Sequence, residues 1–323
     1  VFEQSFYFLI MKFYKELANY TPKGNTVVTI GVFDGVHRGH LYLLHHLKEE
    51  AKRLRASPLV ITFSTHPKAT LKPDSTIRLI SSLEDRISIL RLNGIDNVVV
   101  LTFDEALSKL KSDDFIDGLI HNLNMKGMVI GPNFALGYKR EGNAKKLLEM
   151  GVAKGFEVNF TNPLVNLKQM ISSSAIRESI NKGDMEYAET MLGRPFSMSG
   201  LVITGDGRGR KLGFPTANLK TDNHITIPKD GIYATLAHVD NDIYYSATSI
   251  GVNPTFGNNS RTVETYLIKF DGNLYGKQIK LEFTKRIRGQ QSFDSANTLK
   301  LQMEKDVQST AEILKSKFGT GID

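Results

Sequence analysis

Cysteine is absent from this chain of 323 residues. Its absence excludes disulfides, thiolate nucleophiles and thiolate-bound metals, and it fits a reducing compartment, so we expect a cytoplasmic protein. Internal repeats and low-complexity tracts are also missing, and the composition is that of an ordinary globular protein. The length allows two domains, each with its own hydrophobic core.

Long blocks of one charge sign are absent too, although the formal net charge is +7. A positive balance suits phosphate-rich ligands, nucleic acid or an anionic membrane surface. The sequence lacks the aromatic clusters between basic residues that are typical of RNA-binding sheets, and its apolar run 6–11 is too short to span a bilayer. We therefore expect small phosphate-bearing ligands, with no nucleic-acid and no membrane partner. Residues 1–10 lack secretory features, and we expect them to be a non-functional extension before a natural start at Met11.

The first half of the chain alternates strand-like and helix-like segments. Near-continuous apolar runs indicate strands covered on both faces of a parallel sheet, with helices between them that stop near Gly94, Gly127 and Gly155. The predicted strands are 26–31, 58–63, 97–103, 126–131 and 156–160, and the predicted helices are 39–55, 83–93, 113–123 and 143–154. This order predicts a doubly wound, Rossmann-like α/β domain that binds ligands beyond the carboxyl ends of its strands.

The second half has a different texture. After a helical stretch at 172–192, short β-prone segments predict a small β-barrel, and apolar residues at helical spacing over 293–318 predict a terminal helix packed on it. The segments are 196–204, 231–239, 243–250, 262–270 and 277–284, the last two forming a hairpin around Asp271-Gly272-Asn273. We predict domains at 11–186 and 187–323.

Residues 31–40, Gly-Val-Phe-Asp-Gly-Val-His-Arg-Gly-His, follow the first strand and open a helix. Free backbone N–H groups at a helix N-terminus bind anions, and Gly35 and Gly39 allow the main chain to approach a ligand closely. His37 and His40 lie on one side of the first turn and can both donate to phosphoryl oxygens. Alternatively, the histidines are only a helix cap. A zinc site is excluded because His45 and His46 face elsewhere on the helix and no thiolate exists.

The segment 204–219, Thr-Gly-Asp-Gly-Arg-Gly-Arg-Lys-Leu-Gly-Phe-Pro-Thr-Ala-Asn-Leu, is neither a Walker A loop nor a dinucleotide motif, since Arg210 replaces the third glycine. A Gly/Arg-rich loop can still wrap a triphosphate. Thr216 and Asn218 share a face of an extended segment, and their oxygens suit Mg²⁺. A plain hairpin loop is the alternative.

Glu264 shares its predicted strand face with Tyr266, Ile268 and Phe270, an unusual setting for a carboxylate. Burial would raise its basicity and make it a general base. A salt bridge to Arg261 or Arg286, or a solvated barrel edge, explains the position equally well.

Five segments occur in one order: TIGVFDGVHRGH (29–40), ISSSAIR (171–177), LGRPF (192–196), GRKLGFPTANL (209–219) and VETYLIKFDGNLYG (263–276). The first resembles the HxGH signature of nucleotidylyltransferases. Together, from about Met11 onward, the five resemble the bacterial bifunctional riboflavin kinase/FAD synthetase family. The resemblance implies a nucleotidylyltransferase domain and a riboflavin kinase barrel. These would convert riboflavin to FMN with Mg-ATP, and FMN to FAD with a second ATP and release of pyrophosphate.

The resemblance also implies roles for particular residues. His37 and His40 would catalyse adenylyl transfer, and Glu264 would deprotonate the terminal ribityl hydroxyl of riboflavin. Thr216 and Asn218 would bind Mg²⁺, and flavin contacts would come from Tyr233, Asn253 and Arg288. Nucleotide contacts would come from Phe33, Asp34, Gly35, Gly39, Asn133, Ser172, Ser173, Ser174, Arg177, Gly205, Gly207, Arg210, Lys211, Gly213, Pro215, Thr216 and Asn218. The chain departs from the family at Asn143, often acidic there, and at Ser174, often Thr.

Three other functions stay open at this point. One is adenylyl transfer to pantetheine phosphate or a nicotinate nucleotide, with a barrel that only binds. The second is a basic nucleic-acid-binding or regulatory protein, and the third is a flavin sensor without turnover. The kinase-like GFPTAN segment and Glu264 speak against the first, and salt-dependent oligonucleotide binding tests the second.

Overall fold

The computed structural model describes residues 11–71, 77–131, 134–162, 165–166, 169–205, 207–252 and 261–319. The chain divides into two compact units, each described separately below. The first comprises Val1–Ile77 and Ser82–Ser172, and the second comprises Arg78–Ser81 and Ser173–Asp323.

A five-stranded parallel sheet in the order β3-β2-β1-β4-β5 forms the centre of the first unit. Its strands are β1 (Thr26–Ile30), β2 (Ser57–Phe63), β3 (Asn97–Leu101), β4 (Met125–Ile130) and β5 (Glu157–Phe160). A short pair, β6 (Val165–Asn166) and β7 (Gln169–Met170), follows. The helices are α1 (residues 11–18), α2 (Arg38–Arg53), α3 (Pro67–Leu71), α4 (Leu83–Leu92), α5 (Glu105–Lys109), α6 (Ser112–Leu123), the 3₁₀ turn Tyr138–Arg140 and α7 (Ala144–Lys154).

Both faces of this sheet are covered, as the apolar runs predict. Val27 packs with Leu44 of α2 on one face, whereas its neighbour Val28 packs with Leu119 of α6 on the other. Because successive side chains of a strand point to opposite faces, a strand buried on both sides needs apolar residues throughout. The predicted doubly wound α/β domain is confirmed.

One of the three predicted helix stops is wrong. Gly94 and Gly155 follow α4 and α7 with φ of 80° and 76°, as expected of helix ends. Gly127 instead lies inside β4, and α6 ends at Leu123, where Asn124 adopts the left-handed conformation with φ of 49°. Asparagine tolerates the left-handed conformation better than most residues, so Asn124 ends the helix in the way that was expected of Gly127.

The second unit is a closed six-stranded antiparallel barrel in the order β10-β11-β12-β9-β8-β13. Its strands are β8 (Phe196–Ile203), β9 (Ala217–Thr221), β10 (Gly231–Val239), β11 (Asp242–Val252), β12 (Arg261–Leu267) and β13 (Gln278–Arg288). Its helices are α8 (Ser173–Lys182), α9 (Met185–Leu192), α10 (Arg208–Lys211) and α11 (Ala296–Phe318). The predicted barrel and terminal helix are confirmed, while the predicted stretch 172–192 is two helices separated at Gly183.

The barrel is packed on both sides of its wall. Leu314 of α11 covers Ala234 and Leu236 on the outside. Inside, the hydroxyls of Thr235 and Thr248 lie 2.7 Å apart, and Thr248 donates in turn to Thr265 at 2.9 Å. Buried hydroxyls that satisfy each other avoid the cost of an unpaired polar group.

The hairpin predicted for 262–270 and 277–284 is wrong. β12 pairs with β11 and β9, whereas β13 pairs with β10 and β8, so the two strands do not neighbour each other. β12 also ends at Leu267, which places Ile268 and Phe270 outside the strand face of Glu264. The local Asp-Gly signal predicts a turn, but barrel closure decides which strands pair.

Candidate functional sites

The turn between β1 and α2 has an unusual backbone. Phe33, Gly35 and Val36 have φ of 52°, 75° and 37°, a conformation that costs free energy for residues with a Cβ. Phe33 is 1% exposed and Asp34 2% exposed, so both side chains are directed into the protein. Gly35, Val36 and His37 are buried as well, so the turn is packed into the protein, and exposure returns only at Arg38, where α2 begins.

His37 and His40 lie against each other at the start of α2. Their rings stack with centroids 3.7 Å apart, and Nδ1 of His37 accepts a hydrogen bond from the backbone N–H of His40 at 3.3 Å. A neutral imidazole that accepts at Nδ1 carries its proton on Nε2. His37 therefore caps α2, and in this tautomer its Nε2 carries the proton.

Gly39 leaves space for this arrangement. A Cβ at Gly39 would lie 3.1 Å from two ring atoms of His37 and 3.7 Å from the carbonyl oxygen of Ile171. The first distance is tighter than ordinary van der Waals contact, so a side chain here would push the His37 ring. Ile171 is the first residue of the ISSSAIR segment and lies beside the turn in the first unit.

A cleft of about 480 Å³, here called the N-cleft, opens where the parallel strands end. Its apolar wall includes Phe63, Phe103 and Phe134, and its rim carries basic residues. The basic residues are Lys109, Lys139 and Arg140, of which the last two have positive φ of 51° and 62°. Such a cleft fits a planar aromatic ligand that bears an anionic group.

The remaining residues predicted for this site are placed as follows. Ser172 ends the first unit, while Ser173 and Ser174 begin α8 in the second. Arg177 Nη2 donates to Ser174 Oγ at 3.4 Å. Asn133 lies outside the described residues.

On the barrel, three predicted residues come together. In the antiparallel pairing of β12 with β9, Glu264 lies directly opposite Asn218, so the two side chains share a face. Thr216 Oγ1 donates to Glu264 Oε2 at 3.3 Å. All three are half-buried, so the burial that would raise the basicity of Glu264 is only partial.

Gly205 makes room for Asn218. A Cβ at Gly205 would overlap the carboxamide of Asn218, so a side chain at this position would force that carboxamide to move. The rest of the Gly/Arg-rich loop contains the short helix α10, flanked by Gly207 and Gly213 with φ of 67° and 89°. Arg210 and Lys211 are exposed on this helix.

Two clefts meet at Thr216. The helix-side cleft, about 340 Å³, is lined mainly by apolar groups of the barrel and α11 and contains Glu264 and Arg288. The loop-side cleft, about 460 Å³, contains Arg210 and Pro215 and is bounded by residues 270–275. Thr216 lines both, so the two clefts adjoin at the residue that hydrogen-bonds Glu264.

Arg288 is held by a residue that the sequence analysis missed. Its Nε and Nη2 donate to the two carboxylate oxygens of Asp306 at 2.8 and 2.6 Å, and Gln302 Nε2 donates to Asp306 Oδ1 at 2.9 Å. Asp306, Thr310 and Leu314 are the buried residues of α11 and follow one another at intervals of four. A carboxylate on the buried face of an amphipathic helix is a signal that could have identified it.

Tyr233 lies inside the barrel wall, 0% exposed, with its ring against Phe283 and its hydroxyl donating to the carbonyl of Lys229. Burial raises the pKa of its hydroxyl to about 12. This placement offers no ligand-facing atom, so its flavin contact stays a prediction without structural support. Asn253 lies outside the described residues.

The alternative partners of Glu264 are engaged elsewhere. Arg261 Nε donates to Asp230 Oδ1 at 2.7 Å, and Arg286 Nη2 donates to the Asp230 carbonyl at 2.7 Å. The two arginines thus anchor the segment before β10.

Among the described residues, no three His, Cys, Asp or Glu side chains converge to form a metal site. Within the same part of the chain, no helix has both the length and the apolar character to cross a bilayer.

Comparison with known proteins gives two family matches in chain order. Residues 8–175 match the family model for FAD synthetase, and residues 192–314 match that for riboflavin kinase. The bifunctional riboflavin kinase/FMN adenylyltransferase of Haemophilus influenzae is 34% identical over 90% of this chain and 94% of its own length. That of Bacillus subtilis is 35% identical over 88% and 92%.

Among solved structures, a chain described as a macrolide-efflux protein from Streptococcus pneumoniae superposes with a TM-score of 0.84. It is 29% identical, and the match covers 91% of this chain and 96% of that one.

Proposed function

Because the chain belongs to the bifunctional riboflavin kinase/FMN adenylyltransferase family, we propose that the barrel site carries the kinase reaction and the turn after β1 carries adenylyl transfer. The chain is a transferase with two ATP-consuming activities in flavin cofactor biosynthesis. It converts riboflavin to FMN, and then FMN to FAD with release of pyrophosphate. We assign adenylyl transfer to the predicted domain 11–186 and riboflavin phosphorylation to the predicted domain 187–323.

In the kinase reaction, riboflavin would occupy the helix-side cleft, whose apolar walls suit the isoalloxazine ring. ATP would occupy the loop-side cleft, where Arg210 and the Gly/Arg-rich loop can bind its phosphates. The observation that carries this proposal is the shared position of Thr216, which hydrogen-bonds Glu264 at the junction of the two clefts.

Glu264 would act as the general base at that junction. Its carboxylate accepts the proton of the terminal ribityl hydroxyl as the hydroxyl oxygen forms a bond to the γ-phosphorus of ATP and the bond to ADP breaks. A half-buried glutamate that lines the helix-side cleft suits this role, because its carboxylate is partly shielded from water yet within reach of a bound hydroxyl.

The oxygens of Thr216 and Asn218 fit Mg²⁺, which prefers hard oxygen ligands and usually takes the others from nucleotide phosphates. They share one face beside Glu264, so these residues would hold the cation there. When bound, Mg²⁺ would neutralise charge on the phosphates of ATP.

In adenylyl transfer, FMN would bind in the N-cleft, with its ring against the phenylalanines and its phosphate towards the basic rim. The FMN phosphate is already anionic, so its attack on the α-phosphorus of ATP needs positioning and charge neutralisation more than a base. His37, His40 and the amino end of α2 would supply donors for the α-phosphate, and pyrophosphate leaves.

The decisive experiment separates flavins by chromatography after incubation with riboflavin and Mg-ATP. Wild type should yield FMN and FAD. Glu264→Gln should lower the rate of FMN formation by about 10³-fold, because it removes the base but keeps the side-chain shape. The same variant supplied with FMN should still make FAD at the wild-type rate.

Glu304→Gln is the matched control, since Glu304 is exposed on α11. It should leave both rates unchanged. A folded Glu264→Gln protein that still phosphorylates riboflavin normally would overturn the assignment of the base. A folded wild type that makes no FMN would remove the kinase activity altogether.

A further inference from the structure

Arg86 of α4 is a fully buried arginine for which the proposed reaction has no assigned use. It is 1% exposed, and its Nη1 donates to Thr62 Oγ1 at 3.1 Å and to the carbonyl of Phe63 at 3.0 Å. Both acceptors belong to the last two residues of β2. They lie at the carboxyl end of this strand, the end at which parallel α/β sheets bind ligands. A buried guanidinium is expensive in free energy, so it requires an explanation.

A second hydrogen bond connects β2 to the turn between β1 and α2, here called the phosphate turn. Thr62 Oγ1 accepts from Arg86 and donates to the carbonyl of Val32 at 3.1 Å. Val32 directly precedes Phe33, the first residue of the turn with positive φ. A chain of hydrogen bonds thus joins the guanidinium to the start of the strained turn that carries His37 and His40.

Electrostatics reinforces this connection. Burial lowers the pKa of Arg86, and the carboxylates of Asp34 and Glu84 act in the opposite direction. Asp34 belongs to the turn itself and is 2% exposed, so its attraction to the guanidinium is little screened by water. An arginine stays protonated even when its pKa falls, so the charge persists at neutral pH.

Strained backbone persists only where its surroundings hold it in place. The turn has three residues with positive φ within four positions, and only one of them is glycine. Arg86 contacts one side of it through Thr62 and attracts Asp34 in its middle. We infer that Arg86 is a positioning residue for adenylyl transfer, which holds the turn so that His37, His40 and the amino end of α2 address the α-phosphate.

This inference rests on the proposed placement of adenylyl transfer at the turn, and its test is designed around the two activities of the chain. In Arg86→Met, an apolar side chain of similar length replaces the cation. We expect kcat for conversion of FMN to FAD to fall by about 100-fold, because a small misplacement of catalytic groups is costly. KM for FMN and for ATP should stay within about threefold, since the clefts themselves are not altered.

Thr62→Val tests the connecting hydroxyl with almost no change in volume. It should lower the same kcat by about tenfold, the effect of losing one hydrogen-bond link. Arg91→Met is the matched control, because Arg91 is exposed on the same helix. It should leave kcat unchanged. Riboflavin phosphorylation by every variant should stay at the wild-type rate, and a cooperative thermal transition above the assay temperature should show that each is folded.

Chemical rescue separates positioning from general stability. Arg86→Ala creates a cavity at a site shaped for a guanidinium, so added methylguanidinium should restore kcat with saturation, whereas methylammonium should not. If Arg86→Ala does not fold, Arg86→Met and Thr62→Val still decide the matter.

Several results would overturn the inference. These are a kcat for folded Arg86→Met within about threefold of wild type, an equal loss in Arg91→Met, or a loss confined to KM. Failure of methylguanidinium to restore folded Arg86→Ala would also do so. The double variant His37→Ala with His40→Ala, in the same assay, separates failure of the proposed site from failure of the positioning role. If the double variant keeps normal activity, the proposed site is wrong. If the double variant is inactive and the Arg86 variants stay active, only the positioning role is wrong.

Discussion

The two proposed sites of this chain are built in opposite ways. The proposed adenylyl-transfer site is concentrated in one turn, where Asp34, His37, Gly39 and His40 fall within seven residues of sequence. The proposed kinase site takes Thr216 from the segment before β9, Glu264 from β12 and Arg288 from β13. The first is a local structure with a conformation of its own, and the second exists only when the barrel closes.

This difference has a consequence for how each site fails. A local site depends on the conformation of a few residues and on whatever holds them, so changes nearby should alter it without affecting the barrel. An assembled site depends on strand register, because Glu264 meets Asn218 only in one pairing of β12 with β9. The experiments below test this contrast, in order of decreasing expected effect.

The largest effect is expected from removing both imidazoles. His37→Ala with His40→Ala should lower FAD formation from FMN by about 10³-fold or more, because the donors for the transferred phosphate are lost. Riboflavin phosphorylation should continue, so FMN accumulates. Flavin chromatography at fixed times measures both products.

The exposed His45 provides the control on the same helix. His45→Ala should form FAD at the wild-type rate. Loss of both activities in the folded double variant would contradict the division of labour between the units.

An intermediate effect is expected at the ion pair between α11 and β13. Asp306→Asn keeps the shape of the side chain but leaves Arg288 without its carboxylate, in a pair whose side chains are only 15% and 7% exposed. We expect KM for riboflavin to rise about tenfold and the free energy of unfolding to fall by about 3 kcal/mol. Steady-state kinetics and thermal unfolding measure the two effects.

Asp294→Asn, at an exposed position before α11, should change neither quantity. An unchanged KM in Asp306→Asn would show that Arg288 needs no orientation to serve the helix-side cleft. FAD formation from FMN should be normal in both variants.

The smallest effect concerns Glu141, which directly follows Arg140 of the N-cleft rim. The backbone N–H and the hydroxyl of Ser112 donate to Glu141 Oε1 at 2.7 and 3.2 Å, which lowers the pKa of Glu141 below its ordinary 4.5. A carboxyl whose pKa is lower in the folded state stabilises the protein above its unfolded pKa, and this contribution disappears as pH falls through the folded value. Glu141→Gln should therefore reduce thermal stability at about pH 7 and have little effect at about pH 3.

Thermal unfolding of wild type, Glu141→Gln and the exposed Glu49→Gln at both pH values tests this. The Glu49 variant should match wild type throughout. A deficit in Glu141→Gln that persists unchanged in acid would mean that the charge of the carboxylate is not responsible.

Much of this molecule could be predicted from sequence because its signals are local. The apolar runs of β1 to β4 reflect burial on both sheet faces, and the HxGH segment places its histidines at a helix start whatever else the chain does. The end of α6 was predicted wrongly because two nearby residues carry the same local signal. Asn124 adopts the left-handed conformation that was expected of Gly127.

The features that could not be predicted depend on contacts between distant residues. The strands β12 and β13 are adjacent in sequence yet separated in the barrel by β9 and β8, because the closed sheet satisfies every strand edge in that order. Residues 78–81 belong to the second unit, where Leu79 bridges to Ile225, although they lie between helices of the first. The roles of Arg86 and Asp306 depend on partners, Thr62 and Arg288, that come close to them only in the folded protein.

Sequence alone determined the two domains, the family and the residue types available at each site, because periodicity, turn chemistry and ordered motifs need no knowledge of distant contacts. Tertiary structure alone decided that Thr216 lines two clefts, that Tyr233 is enclosed in the barrel wall, and that a buried arginine is linked through Thr62 to the turn after β1. The physical reason is that side-chain burial and pairing are set by which strands and helices become neighbours, and that choice is made by the whole chain together.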